Sequence, residues 1–293
     1  MLNNNRNRII AAAALIAIAV WLSLAFSAPR PLEVTFFDVG DGLCVFVYTP
    51  SGRCMIIDCG SSSWRDNSVV GKKVVMPYIQ SLGLDSIDVA ILSHPHADHA
   101  SGFPALLKHK PARLVIECGA DYDSPEHEAF ESAVKKCRAD RKIGYRGQVL
   151  ELGDGIRAEI LHPRQDAKYE DLNDNSIVIR LIYKQFSALL TADATQIAED
   201  EILDAGVDVK AQVIQVGHHG SQSATSPRWL ASVQPSIAVI SCSKHSRYSF
   251  PSKTVTQRLS SFGIKTYSTA KCGSVTISTD GNKINVHTRK YSN

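Results

Sequence analysis

Three imidazoles and a carboxylate stand within six residues of this chain, in the run His94-Pro95-His96-Ala97-Asp98-His99. The run follows directly on the apolar stretch 87–92, which has the length and composition of a buried strand. On extended backbone His94 and His96 project the same way. Asp98 and His99, past the turn, face a second point close by. Polar groups crowded at the end of a buried strand are costly to desolvate unless something satisfies them together. A divalent metal does so, and imidazole and carboxylate suit Zn²⁺ and accept Mn²⁺. The fold must therefore open a cleft at the carboxyl end of a strand and bring further ligands there from elsewhere.

Two later segments offer such ligands. Asp193 follows the apolar run 188–190, and His218 and His219 follow the apolar run 212–216. Taken alone, Asp193 serves equally well as the N-cap of a helix over 195–205, and a histidine pair says little. Strands are expected over 33–39, 43–48, 53–58, 87–92, 113–117, 147–152, 156–161, 176–183, 186–191, 212–216, 237–241, 275–278 and 284–287. Helices are expected over 72–82, 102–108 and 195–205, and from Ser124, Ser226 and Ser252, where a Ser or Ser-Pro provides an N-cap. No repeat, long linker or low-complexity tract interrupts residues 31–293, so these form one domain. Strands in runs with helices between and after them predict an α/β fold. Its two mixed sheets lie face to face with helices outside, a four-layer αββα sandwich.

Residues 1–30 read differently. The stretch 9–28 carries no charge over 20 residues, Arg6 and Arg8 precede it, and Pro29 and Pro31 follow it. That length just spans a bilayer as a helix. The pattern is that of a signal peptide, with small residues around Ala25-Phe26-Ser27 for cleavage, or of an uncleaved membrane anchor. Either way the remainder is exported, to the periplasm, the outside or the outer face of a membrane. Removing Arg6 and Arg8 takes the formal charge of +3 to +1, so any grip on nucleic acid must be local rather than histone-like. In an oxidising compartment the seven cysteines can pair, with one left over. Cys54/Cys59, Cys118/Cys137 and Cys242/Cys272 are the sequence-local pairs, and buried free thiols are the alternative.

The sequence resembles the metallo-β-lactamase superfamily, and within it the hydrolase domain of ComEC-type competence proteins and their stand-alone relatives. The resemblance runs through Phe36-Phe37-Asp38-Val39-Gly40, Ile57-Asp58-Cys59-Gly60, His94 to His99 and Asn173-Asp174-Asn175-Ser176. It continues in Leu190-Thr191-Ala192-Asp193 and Val216-Gly217-His218-His219-Gly220-Ser221. It implies a metallo-β-lactamase αββα sandwich with two divalent ions, Zn²⁺ or Mn²⁺. His94 and His96 would bind one ion, Asp98, His99 and His218 the other, with Asp193 bridging. His162 is a candidate for the open place on the first ion. Asp98 doubles as a catalytic residue. His219 is a candidate proton donor or phosphate contact, and Asp58 orients loops or ligands. Three positions depart from the family: Leu43 where an acid is common, Ala192 where glycine is common, and Phe250 where histidine is common. Iron redox members carry glutamate at the position of His96, which favours hydrolysis here.

Two adjacent divalent ions suit in-line displacement at phosphorus. The function expected is therefore an exported phosphodiesterase acting on DNA, with Lys244, Arg247, Lys253 and Arg258 either phosphate contacts or a solvated basic face. An alternative is hydrolysis of a small or envelope-attached phosphoester such as phosphocholine, or of a lactone or β-lactam. Choline would call for an aromatic cage drawn from Trp64, Tyr122, Trp229, Tyr248 and Phe250. A third reading is an inactive exported DNA-binding or scaffold protein. The membrane is a further partner if the leader is retained.

Overall fold

Strands that read as unbroken apolar runs, such as Val45–Tyr48 and Cys54–Ile57, are buried along their whole length. Burial of both faces of a strand requires cover on both sides of its sheet. The structure, a computed structural model, supplies that cover. It describes residues 2–27, 30–64 and 66–290, with side chains in the first of these segments only at 7, 8 and 10–21. The chain divides into two units, Met1–Arg30 and Pro31–Asn293.

In the larger unit eight strands form one sheet, in the order Ile284–Arg289, Ser274–Thr279, Leu32–Phe36, Val45–Tyr48, Cys54–Ile57, Ile87–Leu92, Ala112–Glu117 and Asp140–Ile143. Seven form the other, in the order Lys265–Ser268, Ile237–Ile240, Val213–Gln215, Phe186–Leu190, Val178–Tyr183, Ile156–His162 and Val149–Glu151. Three apolar layers separate four layers of structure. The middle one joins the sheets: Val34, Phe36, Met55, Val89 and Ile91 of the first meet Ile160, Ile179, Leu181, Ala188 and Val213 of the second. A second layer lies between the eight-stranded sheet and its helices, where Phe46, Ile56 and Ala90 face Phe103 and Phe130. The third backs the seven-stranded sheet, with Leu189, Ile214 and Ala238 against Trp229 and Leu259. Alternate residues of one strand thus serve two cores, and each such side chain contributes about 1.5–3 kcal/mol by leaving water. This is the expected α/β, four-layer αββα sandwich.

The pairing positions the functional groups. Cys54–Ile57, Ile87–Leu92 and Ala112–Glu117 run parallel, as do Phe186–Leu190, Val213–Gln215 and Ile237–Ile240. Asp58, the segment from Ser93 to His99, Asp193, the His218–Gly220 turn and Ser241 all follow the carboxyl ends of these strands, where α/β sheets expose their ligand-binding crevices.

Local departures from the sequence expectations have local causes. The helix expected over 72–82 begins as a π-helical segment, Val70–Val75, and becomes α-helical over Met76–Ser81. There Gly71 admits the Gly102 carbonyl so closely that no Cβ would fit. Two strands were not expected from sequence. Asp140–Ile143 is fully exposed and polar, and Lys265–Ser268 is largely so. Both sit at sheet edges, where hydrophobic patterning is weakest. The sequence-local cysteine pairs are not bonded, and all seven cysteines are free thiols, the alternative left open by the sequence. Cys54 opens strand Cys54–Ile57 and Cys59 lies past its far end, so the strand's three steps of about 3.3 Å each stand between them. Cys54 instead donates to the Ser86 carbonyl oxygen, and Cys242 meets the Ser268 hydroxyl.

The smaller unit is an α-helix, Leu2–Ser27, whose described side chains are all exposed. Among the described residues no helix is long and apolar enough to cross a membrane. The expected leader boundary at Ala28 and Pro29, and the side chains of Ala25, Phe26 and Ser27, lie outside the described residues.

Candidate metal centre

The His94–His99 segment is held from behind by Asp58. This residue takes a left-handed conformation, φ 57°, at the end of strand Cys54–Ile57. One carboxylate oxygen accepts the Ser93 backbone N–H at 2.7 Å, and the other accepts the Ser93 hydroxyl and His99 Nδ1, each at 2.7 Å. The bond to His99 Nδ1 leaves His99 Nε2 facing the cleft. Backbone bonds pin the same turn: Leu43 N–H donates to the Asp98 carbonyl at 3.1 Å and Cys59 N–H to the His99 carbonyl at 2.8 Å. The fit leaves no room for a side chain at Gly60, where a Cβ would lie 2.5 Å from the His99 nitrogen.

Asp98, His99, Asp193 and His219 offer four ligand atoms within 4.8 Å of one another. His99 Nε2 lies 3.3 Å from Asp193 Oδ1 and 3.9 Å from Asp98 Oδ2. His219 Nε2 lies 3.3 Å from Asp98 Oδ2 and 3.4 Å from Asp193 Oδ2. His99 Nε2, His219 Nε2 and Asp193 Oδ1 are nonetheless buried without a hydrogen bond among the described residues. Four ligand atoms this close, three of them without a hydrogen bond, form a group that could hold a metal ion. Beside them, His94 Nε2 and His96 Nδ1 converge at 3.0 Å, while His94 Nδ1 is taken up by the Ser93 hydroxyl at 3.0 Å.

The two adjacent histidines point to different places. His219 joins the group of four, and its Nδ1 donates to the Ser241 carbonyl at 3.0 Å. His218 stands at the rim, 23% exposed, with Nε2 3.8 Å from Asp193 Oδ2 and its ring edge-on to Phe250. Left-handed backbone at both positions, φ 46° and 53°, turns the rings this way. Such values are uncommon for non-glycine residues and cluster at functional sites. Ala192 shares the strain at φ 46°. It is held by Gln215, whose side-chain oxygen accepts the Thr191 and Ala192 N–H groups at 2.9 and 2.8 Å while its NH₂ donates back to the Ala192 carbonyl at 3.0 Å.

The charges of the group hold one another. Burial disfavours the charged form of His219, but Asp193 and Asp98 outweigh it and push its pKa up to about 10. His99 is likewise held well above the ordinary imidazole value, against burial, by Asp193, Asp58 and Asp98. Asp193, though buried, and the partly exposed Asp98 are held well below the carboxylate range by the two histidines. His94 goes the other way: burial, with His99 and His96 nearby, pushes it well below the ordinary imidazole value.

Other sequence candidates are dispersed. His162 is buried, donates Nδ1 to the Ser176 carbonyl at 3.0 Å, packs on Tyr169 and leaves Nε2 unpartnered among the described residues. The aromatic residues do not form a cage. Trp229 is wholly buried in the outer core, Trp64 Nε1 donates to the Val39 carbonyl, Tyr122 lies edge-on to His96, and Tyr248 stacks on Phe250. Of the cations, Arg247 donates to the Ser62 carbonyl and Arg258 to those of Ala224 and Thr225, so both serve structure. Lys244 and Lys253 are exposed. Sequence reasoning missed Gln215 and Glu199. Glu199 is buried and accepts the Thr225 and Ser226 N–H groups beside the His218 loop. It also missed a second group, Glu117, His127 and Glu131, whose two carboxylates are already occupied by Arg141.

Residues 37–245 match the family described as the metallo-beta-lactamase superfamily. The chain is 31% identical over 254 residues to ComE operon protein 3 of Bacillus subtilis, covering 83% of this chain and 32% of that protein. It is 32% identical over 245 residues to Recombination protein 2 of Haemophilus influenzae, covering 84% and 28%. The chain thus spans about a third of the length of the curated relatives it matches. Its fold is similar to that of YhfI from Bacillus subtilis, a metallo-beta-lactamase fold protein, with a TM-score of 0.55 at 14% identity, covering 81% of this chain and 96% of that one.

Proposed function

The chain belongs to the metallo-β-lactamase superfamily of hydrolases and is related to ComEC-type competence proteins, and we propose that it is an exported, metal-dependent phosphodiesterase acting on DNA. The observation that carries this reading is the convergence of Asp98, His99, Asp193 and His219, with three of their buried ligand atoms left without hydrogen bonds. These four residues would hold one divalent ion, Zn²⁺ or Mn²⁺, and His94 with His96 would take part in holding a second. The ions would supply Lewis acidity at the phosphoryl oxygens and a nucleophile available at neutral pH.

The chain's own groups do the rest. Asp58 and the Ser241 carbonyl fix the two ring orientations through the Nδ1 bonds of His99 and His219, as outer partners of ligating histidines do. His218, at the rim with Nε2 towards Asp193, would contact the phosphate or give a proton to the leaving oxygen, the role expected from sequence for His219. The relatives' names, a competence operon protein and a recombination protein, support DNA as the substrate. The uncharged stretch 9–28 supports export. The scattering of Trp64, Tyr122 and Trp229 speaks against a choline cage.

The test is to incubate the purified full-length chain with single- and double-stranded DNA and with bis-p-nitrophenyl phosphate, with and without Mn²⁺ or Zn²⁺. Metal-dependent cleavage of DNA is expected. If the small diester is cleaved and neither DNA form is, DNA is not the substrate. If nothing is cleaved and no stoichiometric metal binds, the hydrolase reading fails altogether.

A further inference from the structure

In the seven-stranded half a cavity of about 1000 Å³ is lined by Phe250, Ile240, Thr256 and Cys272, together with Lys244, Lys271 and Lys290 and no acidic side chain. Among the described residues none of the three lysine side chains enters a hydrogen bond or ion pair. Phe250 also belongs to a file of rings. Tyr248, 63% exposed, stacks on it with centroids 5.6 Å apart and an interplanar angle of 27°. Phe250 in turn stands edge-on to His218 at 5.6 Å, and His218 Nε2 lies 3.8 Å from Asp193. The loop carrying these rings is fixed against the histidine turn, since a Cβ on Gly220 would lie 2.6 Å from that of Pro251. Phe250 thus joins the lysine-lined cavity to a file of rings that runs from exposed Tyr248 to His218 and Asp193.

We infer that this side binds a single-stranded stretch of nucleic acid flanking the scissile phosphodiester. An unpaired base stacks on Tyr248, and Lys244, Lys271 and Lys290 take the neighbouring phosphates. An exposed ring backed by a second ring is a platform for a base face, and lysines beside it track the backbone. In a duplex both faces of each base are already stacked, so the platform selects unpaired strands. The three lysines also repel a quaternary ammonium, which turns the aromatic pair away from a choline-type ligand. The inference rests on the phosphodiesterase reading and specifies the form of its substrate.

The test is fluorescence anisotropy with the full-length, metal-loaded chain and a phosphorothioate-linked oligothymidylate, compared with the same strand made abasic and with its duplex. Loss of the base is expected to weaken binding about 5- to 150-fold. That difference is expected to vanish in Tyr248→Ala and to persist in Tyr248→Phe. In the triple variant K244A/K271A/K290A the slope of log affinity against log salt should fall by about 2. Equal binding of intact and abasic strands, equal binding of duplex, or a base effect that survives Tyr248→Ala would overturn the inference. Cleavage of bis-p-nitrophenyl phosphate separates the two readings. If it is cleaved while those negative results hold, only the strand inference fails. If it is not cleaved while unpaired strands still bind through Tyr248, only the phosphodiesterase reading fails.

Discussion

Metal uptake by this chain is expected to expel protons, and the structure says from where. Without metal, His219 titrates near pH 10 because Asp193 and Asp98 overcome its burial, and His99 is raised in the same sense. Both are protonated at pH 7, and each must lose its Nε2 proton to become a ligand. For His219 the gap of about three pH units corresponds to about 4 kcal/mol set against binding at neutral pH. His94, depressed by burial, is already neutral and releases nothing. The expected stoichiometry is therefore about two protons when the group of four is filled, and the apparent affinity rises with pH, about tenfold per unit for each proton released. Calorimetric titration of Mn²⁺ into the metal-free chain, in buffers of equal pH and different ionisation enthalpy, reads the proton count directly. A count near zero, with metal bound, would refute the assignment of His99 and His219 as charged residents displaced by the ion.

Replacing Asp58 by Asn removes the carboxylate that orients His99 and is expected to weaken metal binding about 10- to 100-fold, with circular dichroism unchanged; equal affinity would show that the Nδ1 bond is dispensable. The two adjacent histidines should separate by assay. His219→Ala loses stoichiometric metal in atomic absorption, whereas His218→Ala keeps it and loses about 10²- to 10⁴-fold in turnover of the small diester. The reverse pattern would restore the expectation read from sequence. Gly60→Ala drives a Cβ into the His99 backbone and should cost about 1–3 kcal/mol in urea unfolding, with metal affinity falling as well.

The parts of the centre that were legible in the sequence are those where spacing alone dictates direction. The rings of His94 and His96, two residues apart, meet at the end of the strand, and Asp193 lies with Asp98 and His99. Neighbouring His218 and His219 were not separable, because their directions depend on two left-handed residues in succession that composition does not announce. Gln215 and Glu199 were invisible for another reason. Each is an ordinary polar residue within an expected strand or helix, and only the tertiary fold gives it partners among loop N–H groups. In the fold, strands buried on both faces announced themselves as apolar runs. The polar edge strand Asp140–Ile143 did not, since nothing covers it.

The centre draws Asp98 and His99 from the end of one sheet and Asp193 and His219 from the end of the other. An ion held there would be a clasp across the sandwich. Sliding or parting of the two sheets at this end would have to release it, and its release would free the sheets to part. At an ion concentration a thousand times its dissociation constant, such a clasp raises the stability of the folded state by about 4 kcal/mol, concentrated on the seam rather than shared evenly. Chelation should therefore loosen this molecule first along the line where its two halves meet.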